Sequence, residues 1–329
     1  MKNRIYGVIG IRSMMANWNA DFTGFPKTTS SREVFGSDKA LKYPMKKMWE
    51  SEGEKVLYIK SLKVDSGEGK KGKEGEIAVR PKSLRERYDE IFETNLKDEK
   101  DKTNVIKNLF KAIDVKNFGA TFAEEKNNAS ITGAVQIGQG FNKYVDTYAE
   151  EQLILSPFRD ASKDNKKDNN KDSDKDEKKG EASQSTLGTK IVSNEAHYFY
   201  PFVINPQVYR DFVKMGMTEG YTEEDYKKFK DAALTSATFF NSNSKLGCEN
   251  EFALFIEVKE GYYLPELAQY VKFSKEKDCD VIELGFDELI NQFKDNILSV
   301  EIYYNTLNVK VKHDIKGAKE YNIFTRKEV

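Results

Sequence analysis

The sequence predicts an α+β fold in which one β-sheet carries helices on one of its faces. Segments of strand character and segments of helical periodicity alternate irregularly along the 329 residues, and long loops separate them. Apolar residues make up 38% of the chain and aromatic residues 12%, which is enough for a substantial core. A doubly wound fold would need regular alternation, so we expect a single α+β domain over residues 1–329.

Short apolar runs rich in β-branched or aromatic residues predict the strands. These runs are Arg4 to Ile11, Glu54 to Leu62, Phe118 to Ala123, Ala196 to Asn205, Phe252 to Val258 and Val300 to Tyr304. The glycines of Ser130 to Phe141 have the spacing of a hairpin or an extended finger.

The first helix is predicted to begin at Ser37 and Asp38, a capping residue followed by an acid at the positive end of the helix dipole. Pro44 should kink this helix or delay its regular start. Its apolar side is formed by Leu41, Met45, Met48 and Trp49. Further helices are expected from about Ser83 to Ile113 with a break, from Thr222 to Phe239 with a capping box at Thr222 and Asp225, and from about Phe286 to Asn296.

Two segments interrupt these elements. A long loop follows the first strand, and Trp18, Phe22 and Phe25 within it argue against simple disorder, which favours a functional loop. Residues 161–186 contain no aliphatic side chain larger than alanine and are dominated by charged and amide residues. Such a segment cannot bury enough apolar area to offset its ordering entropy, so it is predicted to be a flexible charged insertion.

Composition excludes some classes of protein. The 53 basic and 54 acidic residues nearly cancel, so an anionic partner must be bound by a local patch. The N-terminal apolar run is too short for a secretory signal, and no apolar stretch approaches the roughly 20 residues that cross a bilayer. We therefore expect a cytoplasmic protein with no membrane partner.

The sequence predicts no catalytic residue, no metal and no cofactor. Gly67 to Gly72 matches GxGxxG, but no helix can start there, so a solvated loop is favoured over dinucleotide binding. His197 and His313 lie in no metal-binding or acid–base pattern, so packing roles are favoured. Cys248 and Cys279 lack the spacing of a zinc site, and no serine lies in a GxSxG context.

Lysines on the first helix are the best candidates for phosphate contacts. Lys42, Lys46 and Lys47 share the side opposite the apolar residues, next to the aromatic loop with its Asn17, Asn19 and Lys27. Ammonium groups beside aromatic planes suit single-stranded RNA, although a solvated lysine face is the common alternative. If the three helix lysines contact phosphates, replacing all three by alanine should make the log–log salt slope shallower by about 2 units.

Several segments, in order, resemble the backbone subunit of type I CRISPR Cascade complexes, most closely the type I-B branch. They are RIYGVIGIRSMMANWNADFTGFP at 4–26, GSDKALKYPMKK at 36–47, FGA at 118–120, ITGAVQ at 131–136, LGTK at 187–190 and SNSKLG at 242–247. No single segment is specific to this family, but the order of the segments along the chain is.

The resemblance implies a non-catalytic RNA-binding domain: an RNA-recognition-motif-like (ferredoxin-like) palm sheet with helices on one face and inserted finger and thumb segments. It implies a filament of several copies on one crRNA, contacts with other Cascade subunits, target DNA paired through the guide, and a recruited helicase-nuclease that cleaves. The RNA-binding residues expected from the loop, the helix and the resembling segments are Asn17, Asn19, Lys27, Lys42, Lys46, Lys47, Gln136, Lys190, Ser242, Ser244 and Lys245.

Two other functions stay open on the residues alone. A stand-alone oligomeric regulator that binds RNA or DNA would show a fixed stoichiometry and a base preference. A nucleotide-dependent enzyme using the 67–72 loop would show a saturable shift in melting temperature with ATP or NAD.

Overall fold

The computed structural model describes residues 1–65, 78–155 and 187–329. The GxGxxG loop at 67–72 and the predicted charged insertion at 161–186 lie outside the described residues.

Strands are more numerous than the sequence predicts. They are β1 (Arg4–Ala16), β2 (Phe35–Gly36), β3 (Leu62–Asp65), β4 (Ala78–Pro81), β5 (Gly119–Glu124), β6 (Asn127–Thr132), β7 (Val135–Ile137), β8 (Gly140–Asn142), β9 (Ala149–Leu155), β10 (Leu187–Ile204), β11 (Cys248–Val258), β12 (Val271–Lys275), β13 (Asp280–Leu284), β14 (Ile297–Tyr304), β15 (Val309–Lys312) and β16 (Lys319–Asn322).

Most helices fall in the predicted regions. The helices are α1 (Asp38–Ser51), α2 (Leu84–Phe92), α3 (Lys102–Leu109), α4 (Ile113–Phe118), α5 (Arg210–Lys214), α6 (Glu223–Phe239) and α7 (Asp287–Gln292). Of these, α4 begins where the predicted helical region ends, and α5 was not predicted. Among the described residues, no helix combines the length and apolar character that crossing a bilayer requires.

Nine of the described strands build one large sheet with β1 at its centre. Its order is β16-β14-β11-β1-β10-β8-β2, and β7 and β9 also pair with β10. β1 runs antiparallel to both β10 and β11, and β10 is long enough to pair with β9, β8 and β7 at successive positions. This mixed sheet with its helices confirms the predicted α+β class.

The two faces of the sheet are covered differently. Ile5 and Ile9 of β1 point to the helical side, where they join a core with Trp49 of α1 and Phe229 of α6. Tyr6 and Val8 point to the other side because successive side chains of a strand alternate. That second face is covered by a small sheet of order β12-β13-β15, with α7 beside it. Most of the described helices therefore pack on one face as expected, whereas the small sheet and α7 form an additional layer on the other.

Helix starts agree with the predicted caps. The Ser37 hydroxyl accepts a hydrogen bond from the Ala40 N–H, and α1 continues through Pro44 without the predicted delay. Thr222 and Asp225 form both hydrogen bonds of a capping box at the start of α6. These ends could be predicted because a cap depends on residues that are adjacent in sequence.

The strand predicted from Glu54 to Leu62 is wrong. Residues 54–61 are irregular, although Val56, Leu57 and Ile59 are buried in the core. The carboxylate of Asp114, on α4, accepts hydrogen bonds from the backbone N–H groups of Leu57 and Tyr58, each at 2.8 Å. A side chain therefore satisfies donors that a neighbouring strand would otherwise have paired.

The segment from Ser130 to Phe141, predicted as a hairpin or an extended finger, does not pair with itself as a hairpin. Its first part belongs to β6, which pairs with the preceding β5. The turn between them contains Glu125 and Lys126, both at positive φ, as a two-residue hairpin turn requires. Its second part forms β7 and β8, which join the large sheet through β10.

Candidate nucleic-acid interface

The loop after β1 is anchored by its tryptophan. Trp18 is buried, and its Nε1–H donates to the Tyr200 hydroxyl at 2.6 Å. Gly36 passes so close that an added Cβ would lie 1.8 Å from the Tyr200 oxygen, so only glycine fits there. Trp18 is therefore not a stacking platform for bases, contrary to the sequence analysis, whereas Phe22 is fully exposed and Phe25 partly so.

Asn17 and Lys245 close the base of this loop. The buried Asn17 amide donates to the Gly24 carbonyl at 2.8 Å and to the Ile191 carbonyl at 3.3 Å. The Lys245 ammonium donates to the carbonyl of Asn17 at 2.8 Å and to the carbonyl of Trp18. These contacts bring the loop, β10 and the turn after α6 together.

The turn at 242–247 is held by its backbone. The N–H groups of Lys245 and Leu246 both donate to the Ser242 carbonyl. Gly247 has a φ of +104°, and an added Cβ would lie 2.2 Å from the Met14 carbonyl oxygen, so this turn requires glycine. Ser242 and Ser244 are exposed, and the Lys190 ammonium lies 3.4 Å from Asn243 Oδ1.

Asn19 and Lys27 join the same region. Asn19 Oδ1 accepts a hydrogen bond from the Ser37 N–H at 2.7 Å, at the start of α1. The Lys27 N–H donates to the Asn19 carbonyl, and the Lys27 ammonium lies 5.5 Å from the centre of the Phe35 ring. The predicted residues thus gathered at one end of the sheet form what we call the loop cluster: Asn17, Asn19, Lys27, Lys190, Ser242, Ser244 and Lys245.

The helix lysines have partners within the chain. Lys42 lies 2.8 Å from Asp38, and Lys47 lies 3.0 Å from Glu50. Lys46 lies 3.5 Å from the fully buried Asp114 and also donates to the Tyr58 carbonyl. Burial lowers the pKa of Lys46, although the charge of Asp114 opposes this. Their charges are therefore largely neutralised before any RNA is considered.

The lysines of the loop cluster differ in this respect. Lys27, Lys190 and Lys245 have no carboxylate oxygen within 4 Å in the described parts of the chain. Burial lowers the pKa of Lys245 to about 8. Cations that are held by carbonyl and amide oxygens keep their net charge and attract an anion such as a phosphate.

Gln136 is placed away from the loop cluster. It lies on β7, which pairs with the Val203 end of β10, whereas Lys190 lies near the opposite end of that strand. Its amide donates to the Gly133 carbonyl at 2.9 Å, and it borders an apolar groove with Pro201 and Leu264. The expected RNA-binding residues therefore do not form one continuous site in the isolated chain.

Sequence analysis missed two residues of this region. Asn243 lies within the SNSKLG segment and contacts Lys190, so its position already indicated a role. The role of Tyr200 could not be predicted from its neighbours in sequence, because it is one of several aromatic residues in a core strand. Its hydrogen-bond partner, Trp18, is 182 residues away.

Comparisons with known proteins agree with this architecture. The family described as "CRISPR-associated protein Cas7" matches residues 3–300. A chain of a solved "CRISPR RNA-guided surveillance complex, pre-nicking" aligns with a TM-score of 0.55 at 13% identity, covering 97% of this chain and 96% of that one. A chain of a "CRISPR RNA-guided surveillance complex" aligns with a TM-score of 0.50 at 12% identity, covering 97% and 94%. No curated protein matches the sequence significantly. With the family match extending over most of its length, the chain belongs to the Cas7 family of CRISPR-associated proteins.

Proposed function

We propose that this protein is the non-catalytic backbone subunit that coats crRNA in a type I CRISPR surveillance complex. The observation that carries the proposal is the loop cluster, where Lys27, Lys190 and Lys245 come together from distant segments without carboxylate partners among the described residues. The exposed Phe22 and Phe25 stand on the same loop and offer rings to unstacked bases. Asn17, Asn19, Ser242 and Ser244 position these groups or add hydrogen bonds to phosphate and sugar.

The strand order supports an RNA-recognition-motif-like palm. β11, β1, β10 and β7 are neighbours in that order, all antiparallel, with α1 between β1 and β7 in sequence and α6 between β10 and β11. This is the order 4-1-3-2 of a ferredoxin-like sheet. The elements from β3 to β6 and the long β9–β10 extension are insertions into it, and we assign them to the finger and thumb segments.

The proposed complex follows from this role and from the type I-B resemblance. Several copies polymerise along one crRNA in the cytoplasm and contact other Cascade subunits. Target DNA pairs with the guide, and a recruited helicase-nuclease cleaves it. Base pairing supplies sequence specificity, so this chain needs contacts with the RNA backbone rather than with base edges. Lys42, Lys46, Lys47 and Gln136 remain proposed contacts, and for the helix lysines a phosphate would have to compete with their carboxylate partners.

The stoichiometry on RNA tests the filament directly. We expect the number of bound copies to rise in proportion to RNA length when the protein is mixed with single-stranded RNAs of increasing length. Native mass spectrometry or mass photometry of the mixtures measures this number. A fixed number of copies at every length, together with a preference for one sequence, would instead support the stand-alone regulator.

Nuclease assays test the non-catalytic role. We expect purified protein to cleave neither RNA nor DNA when Mg²⁺ or Mn²⁺ is added. Cleavage that co-purifies with the chain and disappears on a substitution within it would contradict the proposal.

RNA affinity should depend on pH through Lys245. Its pKa is lowered to about 8, so its ammonium is mostly present at pH 7 and mostly lost at pH 9. If the charged form binds phosphate, affinity for RNA should fall by up to about tenfold between these pH values. Affinity can be measured by fluorescence anisotropy with an RNA that contains only adenine and cytosine, because these bases do not ionise in this pH range.

The variant Lys245→Met should bind RNA more weakly at pH 7 and lose most of this pH dependence. An unchanged dependence in that variant would assign the effect to another group.

A further inference from the structure

Ionisable side chains are buried between the large sheet and the small sheet. His197 on β10 is fully buried, and its Nδ1 lies 2.8 Å and 2.9 Å from the two carboxylate oxygens of Glu251 on β11. Its Nε2 lies 3.1 Å from Glu195 Oε1, and the ring of Phe273 on β12 stacks on the imidazole at 3.8 Å. The sequence analysis favoured a packing role for His197, and the structure adds two acidic partners to that burial.

Asp280 on β13 faces this cluster without a hydrogen-bond partner for its carboxylate in the described residues. The residue is only 5% exposed, and its closest cation is the Lys275 ammonium at 3.9 Å. A carboxylate buried without hydrogen bonds is unfavourable. Such a group indicates a site for a ligand that is a cation.

The spacing of the groups suits a metal ion. One ligand atom from each of Glu195, His197 and Asp280 lies within 4.8 Å of the others. Tetrahedral Zn²⁺ bonds of about 2.1 Å separate ligand atoms by about 3.4 Å, so atoms at the 4.8 Å limit would have to approach one another by more than about 1 Å. The Glu251 carboxylate forms a hydrogen bond with the other ring nitrogen of His197, Nδ1. A carboxylate in that position fixes the orientation of a metal-binding imidazole.

The charge of the cluster also fits a divalent ion. A metal ion bound to Nε2 would displace a proton from His197, and the carboxylates of Glu195, Glu251 and Asp280 with the ammonium of Lys275 would then leave two negative charges. Lys275 now donates to both Glu195 oxygens, at 2.8 Å and 2.7 Å. Its side chain is 40% exposed, so its ammonium can turn towards solvent and vacate the position.

We propose that Glu195, His197 and Asp280 form a binding site for a divalent transition-metal ion, with Zn²⁺ the ion that this nitrogen and oxygen set favours. The ion would join the large sheet, through β10, to the small sheet, through β13. Lys275 occupies the position of the ion in its absence. The role is structural, because the site is buried and independent of the proposed RNA contacts.

The test uses the full-length protein after treatment with EDTA and removal of the chelator. Zn²⁺ at about a hundredfold excess over its Kd should raise the melting temperature by about 5 °C, and calorimetry should give one high-affinity ion per chain. Co²⁺ should bind at the same place and give a visible absorption spectrum that reports its coordination. Mg²⁺ should have little effect because it prefers octahedral oxygen sites.

Three variants separate the proposed site from adventitious binding. Asp280→Asn should weaken Zn²⁺ binding at least tenfold while leaving the metal-free melting temperature close to that of wild type, because Asp280 makes no side-chain hydrogen bond that the change would remove. Lys275→Met removes the competing ammonium and should bind Zn²⁺ at least as tightly as wild type. His313→Gln alters the other histidine, which pairs with Glu320 at 3.2 Å, and should leave binding unchanged. The proposal is wrong if neither wild type nor Lys275→Met binds Zn²⁺, or if Asp280→Asn binds it with unchanged affinity.

Discussion

Replacing Glu251 by alanine should lower the free energy of unfolding by about 3–5 kcal/mol. Glu251 is fully buried and accepts a hydrogen bond from His197. The ring of Phe273 stacks on the His197 imidazole. Burial alone would lower the pKa of His197, but the charge of Glu251 and hydrogen bonds with Glu195 and Glu251 raise it to about 9. The substitution therefore leaves a buried imidazolium with only part of its counter-charge, which is costly whether the group stays charged or loses its proton.

The small sheet supplies a matched control for this substitution. Glu283 on β13 pairs with Lys272 on β12 at 2.7 Å, but both side chains are largely exposed. Replacing Glu283 by alanine should have a much smaller effect on the free energy of unfolding, since exposed ion pairs contribute little. Urea denaturation in EDTA, followed by circular dichroism, measures both variants. Equal losses in the two variants would mean that the buried network contributes no more than a surface pair.

The second large effect is expected on RNA binding when the lysines of the loop cluster are removed together. The triple change of Lys27, Lys190 and Lys245 to alanine should make the log–log salt slope for single-stranded RNA shallower by about 2 units, at about 0.7 per phosphate contact. The loss should be the same for unrelated RNA sequences because phosphates carry no sequence information. Affinities measured at several salt concentrations on several RNAs provide the slope.

The helix lysines offer the corresponding comparison. The triple change of Lys42, Lys46 and Lys47 to alanine removes the same formal charge, but each of these lysines has a carboxylate partner in the chain. We expect that variant to change the slope by less than 1 unit. A decrease of about 2 units there, with an unchanged slope in the loop-cluster variant, would place the RNA along α1 as the sequence alone suggested. Circular dichroism on both variants checks folding, which matters most for Lys46 because its partner Asp114 is buried.

Features of the fold that depend on neighbouring residues could be predicted from the sequence. The caps at Ser37 and Thr222 and the apolar side of α1 are set by spacing within one helix, and the structure confirms them. The core strands β1, β10 and β11 were located by their apolar runs, although each is longer than predicted. The segments that carried the family resemblance also supplied Lys190 and Lys245 before the contact of Lys190 with the 242–247 turn was known.

Features that depend on distant partners could not be predicted. The irregular segment around Leu57 resembles a strand in composition, and only Asp114, more than fifty residues later, explains why it is not one. Trp18 resembles an exposed ring until Tyr200 is placed beside it. Glu195 and His197 are two residues apart in a strand and therefore share a face, which was an available signal. Asp280 and Lys275 reach that face only because the small sheet packs on the large one.

Because Trp18 is buried beside the loop cluster, its fluorescence can report on binding there. The chain has two tryptophans, Trp18 and Trp49, and both are shielded from solvent. The Lys245 ammonium lies 5.1 Å from the centre of the Trp18 ring, and the indole N–H is held by Tyr200. A phosphate that draws this ammonium away would change the electric field across the indole and shift its emission. In a Trp49→Phe variant the remaining emission comes from Trp18 alone, so occupation of the loop cluster could be followed in real time without a label on the protein or the RNA.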